Sequence, residues 1–163
     1  ELTLTTPQSK QTITESIGFR HFEFIENGPF QLNGERLLLR GTHRHEDHAG
    51  VGAAMTEEQM EAEMKLIKEM GVNFIRLGHY QQSDIILRLC DQLGILVWEE
   101  IPWCRGGLGG EKYQAQARRM LTNMITQHRN HPSVILWGLG NENDWPNDFS
   151  TFEQSAIRAF MKS

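Results

Sequence analysis

The chain has 163 residues, 39% of them apolar and 23% charged, which suits one globular domain or pieces of two. Its formal charge of -5 comes without any Lys/Arg cluster, and this excludes a nucleic-acid backbone as the main partner. No apolar run approaches a membrane span, the first residues lack a signal-peptide pattern, and Cys90 and Cys104 make no disulfide framework.

Phe22 and Phe24 alternate with His21 and Glu23, the period of a half-buried strand. Asn33-Gly34 between apolar runs predicts a tight hairpin turn, because a type I′ turn needs positive φ at both central residues. The run 37–39, all leucine, reads as a first strand buried on both faces, as in a parallel sheet. From there the pattern alternates. Thr56-Glu-Glu-Gln59 is a capping box that opens a helix carrying Met60, Met64 and Ile67 on one face, and Gly71 stops it. Residues 72–77 are a second strand. Ser83 and Asp84 open a second helix, with Ile86, Leu89, Cys90 and Leu93 at helical spacing and Gly94 at its end; Cys90 is a small core residue there. Residues 95–98 are a third strand. A glycine-rich loop then leads to a third helix striped by Ala117, Met120, Leu121 and Met124, which His131-Pro132 cannot continue. Residues 134–139 are a fourth strand, and Ser150-Thr-Phe-Glu153 opens a fourth helix.

Strand–helix units in a row with short connections imply a parallel sheet with right-handed crossovers. Two closures fit, half of a (β/α)8 barrel or a doubly wound open sheet. The first strand–helix turn lacks the Gly-x-Gly-x-x-Gly fingerprint of a dinucleotide site, which weakens the open sheet. In a barrel the active site lies at the C-terminal strand ends. Those positions here hold His43, Arg44, His45, Glu46, Asp47 and His48, then Arg76, His79 and Tyr80, then Glu99, Glu100 and Trp103, then Asn141, Glu142 and Asn143. Four of the seven histidines fall in the first two groups, so a polar concave site is expected. Such a site suits a sugar, whose hydroxyls need donors and acceptors and whose C–H faces need an aromatic such as Trp103. Cleaving a glycosidic bond needs an acid for the leaving oxygen and a second carboxylate at the anomeric carbon.

The segments Leu-Asn-Gly-x-x-Leu-Leu-Leu-Arg-Gly-x-x-Arg-His-Glu, Phe-Ile-Arg-Leu-Gly-His-Tyr, Leu-Cys-Asp-x-Leu-Gly-Ile-Leu-Val-Trp-Glu-Glu and Arg-Asn-His-Pro-Ser-Val-Ile-Leu-Trp-Gly-Leu-Gly-Asn-Glu resemble glycoside hydrolase family 2. That family holds β-galactosidases, β-glucuronidases and β-mannosidases, and the resemblance runs from about Gly18 to about Asn143. It implies a retaining glycosidase with Glu142 as general acid/base, Asn141 on the sugar 2-hydroxyl, and His45 and His79 against the innermost sugar. It also implies a nucleophilic glutamate after a seventh strand, outside this chain. Residues 27–163 are then the first half of the catalytic barrel, and residues 1–26 resemble the end of a preceding β-sandwich. Glu100 and Trp103 are expected to line the site. Arg76 is expected to pair with Glu100 or Glu142 and orient the acid/base, and Trp137 faces either the site or a helix. A β-galactoside is the leading substrate, from the Arg-His-Glu-Asp-His loop. Some β-galactosidases of the family hold magnesium through Glu-x-His after strand three; here Trp103-Cys104-Arg105-Gly106 stands in that place, and neither metal nor cofactor is implied.

Two other readings compete. His43-x-His45 directly after a strand is the spacing by which imidazoles share zinc in metal-dependent amidohydrolases, although the Asn-Glu ending of strand four fits those poorly. A non-catalytic sugar-binding fragment is the other. Open sheet edges and an uncovered inner face would also drive the isolated chain to self-associate as a homo-oligomer.

Overall fold

A computed structural model describes residues 1–105 and 109–142. The expected helix from Ser150, together with Asn143 and Gly106, lies outside the described residues. Two small antiparallel sheets come first. β1 (Leu2–Thr5) and β2 (Lys10–Ile13) form a fully exposed hairpin. β3 (Phe22–Phe24), β4 (Phe30–Leu32) and β5 (Glu35–Arg36) form the second sheet, where the rings of Phe24 and Phe30 pack at a centroid distance of 5.0 Å. Asn33 and Gly34 turn β4 into β5 with φ of 54° and 83°, the positive values that the dipeptide foretells. A division at residue 26 falls in the connection between β3 and β4, whose residues pair across it.

The leucine run 37–39 is not a strand, and Leu38 is 66% exposed. Its backbone is tied to the side chain of Asn73 instead. Asn73 Nδ2 donates to Leu38 O at 2.9 Å, and Arg40 N donates to Asn73 Oδ1 at 2.7 Å. The first strand of the main sheet therefore starts later, as β6 (Gly41–Arg44). β7 (Phe74–Leu77), β8 (Leu96–Glu100) and β9 (Val134–Gly138) follow, all parallel and in chain order. Along the β8–β9 ladder the register slips once. Val97 pairs with Val134 but Trp98 pairs with Leu136, so Ile135 is an extra residue on β9.

The crossovers are α1 (Glu57–Glu69), α2 (Asp84–Leu93) and α3 (Glu111–His128). The Thr56/Gln59 capping box closes on both sides, Ser83 caps α2, and Gly94 ends α2 in the left-handed conformation at φ 63°. Each cap satisfies backbone groups that the helix leaves without partners. Ile75, Leu77, Val97 and Val134 of the sheet share a core with Met60 and Met64 of α1 and Ile86, Leu87 and Cys90 of α2. Burial pushes the Cys90 thiol up to about 12, as befits a packing residue. Ile101 and Trp103 pack with Ala117, Leu121 and Met124 under α3. Trp137 touches both clusters, so all three helices cover one face of the sheet, as in a barrel and unlike a doubly wound sheet. The opposite face of the sheet carries the site. Among the described residues no helix is long and apolar enough to cross a membrane.

Candidate functional site

Strand parity decides which side chains share the open face. His43, Arg76 and Trp98 are ladder partners on β6, β7 and β8, and Glu100 follows Trp98 two residues on. β8 runs through Glu100 rather than stopping at Trp98, so Glu99 and Glu100 belong to the strand and not to the loop after it.

Glu100 is the centre. Its carboxylate is wholly buried and receives a forked pair from Arg76, whose Nη2 donates to Oε2 at 2.8 Å and Nε to the same oxygen at 3.0 Å. His79 Nδ1 lies 2.5 Å from Oε1; a carboxylate can only accept, so that nitrogen carries the proton. Arg76 Nη2 also donates to Asn141 Oδ1 at 2.9 Å. The guanidinium carbon sits 4.7 Å from the centre of the Trp98 ring. Gly138, opposite Glu100 on β9, leaves the room this needs, since a methyl group there would overlap Glu100 Cβ and Trp98 Nε1.

His43 and His45 stand at the exposed rim beside His79. Their rings are 4.8 Å apart, and each is within 5.1 Å of the His79 ring. One ring nitrogen from each of the three lies within 4.8 Å of the others, a spacing that could hold a metal ion. Burial holds the His43 imidazole below its ordinary value of 6.5, helped by the charges of His45, His79 and Arg76 and opposed by Glu100. Arg44, between these histidines in sequence, turns to the helix side and is buried against Gln82 and Glu63. Glu46 braces the loop, with its backbone N–H donating to Tyr80 Oη at 2.9 Å and its carboxylate accepting from Ser83 N at 3.1 Å.

Asn141 is pinned from several sides. Its N–H donates to Trp103 O at 2.8 Å, its carbonyl accepts from Arg105 N at 3.1 Å, and its Nδ2 points to Cys104 Sγ at 3.3 Å. Glu142 follows directly, in a left-handed backbone conformation at φ 48°. Such a conformation costs a side-chain-bearing residue about 1–3 kcal/mol and is kept where the surroundings dictate it. Its carboxylate is 55% exposed and accepts from Arg105 Nε at 2.7 Å.

Arg76, His79, Glu100 and Asn141 thus form one bonded group, with His45 at its rim and Glu142 next in the chain. Arg76 pairs with Glu100, not with Glu142. Trp103 does not join them. It is 2% exposed, packed under α3 and edge-on to Tyr113, so no ring face is left for a sugar. Trp137 lies on the helix side, packed against both cores. Among the described residues the indole on the open face is Trp98, absent from the residues expected at the site; its alternation with Glu100 is the signal in the sequence. Cys104 and Arg105, which follow Trp103 after the third strand, hold Asn141 and Glu142.

On the opposite face Glu99, equally buried, accepts from His128 Nδ1 at 2.9 Å. His128 Nε2 lies 3.4 Å from Asp84, and His131 Nδ1 lies 2.6 Å from Asp91.

Known proteins resemble this chain in sequence and fold. The family model described as the TIM barrel domain of glycosyl hydrolases family 2 matches residues 24–162. The solved structure of Bacteroides uniformis β-glucuronidase 3 superposes with a TM-score of 0.84 at 77% identity, covering 98% of this chain and 20% of that one. Parabacteroides merdae β-glucuronidase superposes with a TM-score of 0.85 at 74% identity, again over 98% of this chain and 20% of that one. A β-galactosidase of Thermoanaerobacter pseudethanolicus is 39% identical over 138 residues, which is 83% of this chain and 18% of that protein. The chain thus spans about a fifth of the length of the relatives it matches.

Proposed function

Since the chain belongs to glycosyl hydrolase family 2, matched through its TIM barrel domain, we propose that it supplies part of the active site of a retaining β-glycosidase acting on β-glucuronides. Glu142 is the general acid/base, Asn141 takes the sugar 2-hydroxyl, and His45 and His79 hold the ring of the innermost sugar. Arg76 and Glu100 position these groups. The observation that carries the reading is the guanidinium of Arg76, which bonds both the buried Glu100 carboxylate and Asn141, so the Asn141–Glu142 pair is tied to a fixed charge network at the strand ends. Residues 27–163 are read as the first half of the barrel, and the exposed β1–β2 hairpin as the end of a preceding β-sandwich.

In the reaction, the Glu142 carboxyl gives its proton to the glycosidic oxygen while a second carboxylate, outside this chain, attacks the anomeric carbon. The aglycone leaves as an alcohol and a glycosyl ester remains. Glu142, now a carboxylate, takes a proton from water; the water oxygen attacks the same carbon and the second carboxylate departs.

The β-galactoside expected from the 44–48 loop is not singled out, because relatives bear both names. The structures that match at 74–77% identity are β-glucuronidases, which supports a glucuronide. The basis for a galactoside is also weaker, since Arg44 is buried on the helix side.

The test uses the full-length protein on nitrophenyl β-D-glucuronide and β-D-galactoside. Glucuronide turnover is expected to dominate, and Glu142→Gln is expected to lower kcat by about 10²–10⁴-fold. Azide should accelerate breakdown of the glycosyl ester in Glu142→Ala and yield the β-glycosyl azide, because two inversions restore the configuration. An α-azide, or turnover that survives Glu142→Gln, ends the assignment.

A further inference from the structure

The geometry points to a second ligand for the same rim: His43, His45 and His79 bind one divalent transition-metal ion of the zinc class, and the bound ion excludes the sugar. The second half rests on the reading above, in which His45 and His79 hold the sugar; the first half does not.

The first support is spacing. His43 Nε2 and His45 Nε2 are 3.2 Å apart. Two nitrogens on a tetrahedral zinc, each at about 2.0–2.1 Å from the ion, lie about 3.3 Å from one another. One nitrogen from all three rings falls within 4.8 Å of the others, so all three imidazoles border the same point. Two imidazole nitrogens in such contact need either a shared proton or an ion between them, and an ion serves both lone pairs.

The second support is independent of spacing. Histidines that bind metals donate their other N–H to a carboxylate or carbonyl, which fixes the tautomer and makes the ligand nitrogen more basic. His79 already has this arrangement. Its Nδ1 is held by Glu100, and Glu100 is held by Arg76, leaving Nε2 as the donor atom His79 can offer. His43 and His45 are exposed, so an ion reaches them without any opening of the fold.

Charge sets the strength. Arg76 would repel a cation, but its charge is matched by the buried Glu100. The pair leaves three imidazole ligands and no net negative one, which suits moderate affinity. Imidazole nitrogens favour zinc, copper and nickel over magnesium and calcium, which prefer oxygen ligands. Three protein ligands leave the fourth tetrahedral place to water, on the side from which a sugar would come.

The experiment titrates the EDTA-treated, full-length protein with zinc chloride and with magnesium chloride by calorimetry. One zinc ion per chain and no magnesium are expected. His43→Asn should weaken zinc by at least about tenfold, as loss of a ligand does, while His48→Asn, outside the cluster, leaves it unchanged. Cobalt gives the answer without any variant, since a tetrahedral nitrogen-bound ion shows intense visible bands that octahedral aqueous cobalt lacks. Zinc should also raise KM for the nitrophenyl glucuronide and leave kcat unchanged. Absent zinc binding, or binding that survives His43→Asn, overturns the site. Zinc binding with no rise in KM overturns the exclusion of sugar. The calorimetric and cobalt readouts need no hydrolysis, so they stand even where the glycosidase reading fails.

Discussion

Glu99 and Glu100 are neighbours on β8, both wholly buried, and they anchor two carboxylate–histidine networks on opposite faces of the sheet. On the helix side Glu99 meets His128 among packed side chains, with Asp84, His131 and Asp91 around it. On the open side Glu100 meets a permanent cation, Arg76, and the half-buried His79, and the network continues through Asn141 toward Glu142. The residue types are nearly the same. What differs is access, and whether the charge on the carboxylate is matched by a group that never loses its proton. A carboxylate–histidine pair buried under helices holds the fold together. One that faces the strand ends is available to a ligand.

The largest expected effect breaks the open side. Arg76→Ala strands a fully buried carboxylate, and leaving one partner of a buried pair alone costs about 3–5 kcal/mol. The Arg76 side chain, 24% exposed, moves the expected loss toward the lower end. Denaturant unfolding of the full-length protein measures it, and kcat should fall with it because Asn141 loses its tether. A loss of stability below about 1 kcal/mol would show that water already solvates Glu100. Next comes the closed side. Glu99→Gln keeps an acceptor oxygen for the His128 N–H but removes the charge that strengthens the bond, and should cost about 1 kcal/mol, with kcat unchanged. A fall in kcat equal to that of Arg76→Ala would erase the distinction between the faces.

The smallest effect is the sharpest, because the two faces are expected to respond to pH with opposite signs. Burial pulls His128 down from 6.5, but the Glu99 hydrogen bond and the charges of Glu99 and Asp84 together carry it above that value. A group raised in the folded state contributes stability that is whole below pH 6.5 and is lost as pH rises through its folded value. His43 is lowered, so its contribution is present above pH 6.5 and is lost as pH falls through its folded value. Compared with wild type across this range, Glu99→Gln should flatten the alkaline decline and His43→Asn the acidic one. Two variants with the same pH profile would contradict the contrast.

The parts of the fold legible in sequence were those written by neighbouring residues. The Thr56–Gln59 box, the Ser83 cap, the Gly94 stop and the Asn33-Gly34 turn all depend on contacts a few residues apart, and all form. The Arg76–Glu100 pair was also within reach, because two charges on apolar strands leave each other as the natural partner. What depended on distant chain was lost. The run 37–39 has the composition of a buried strand, yet the amide of Asn73, more than thirty residues on, takes its backbone. Trp103 reads as a loop aromatic until α3 is laid over it. His43 looked like half of a zinc motif, and only folding brings His79 beside it.

The slipped register on β9 has a consequence for how this site tolerates change. Counted without a break from Val134, the ladder would set Trp137 against Glu100 and bury Leu136 on the helix side. The extra residue, Ile135, shifts the reading frame of the strand by one, so that Gly138 meets the carboxylate and the indole of Trp137 goes to the helices. Insertions and deletions are thus the dangerous currency here. Exchanging one aliphatic residue for another at position 135 leaves every neighbour on its own face, whereas removing Trp137 sets Leu139 beside Glu100, and adding a residue between Leu136 and Trp137 sets the indole ring there.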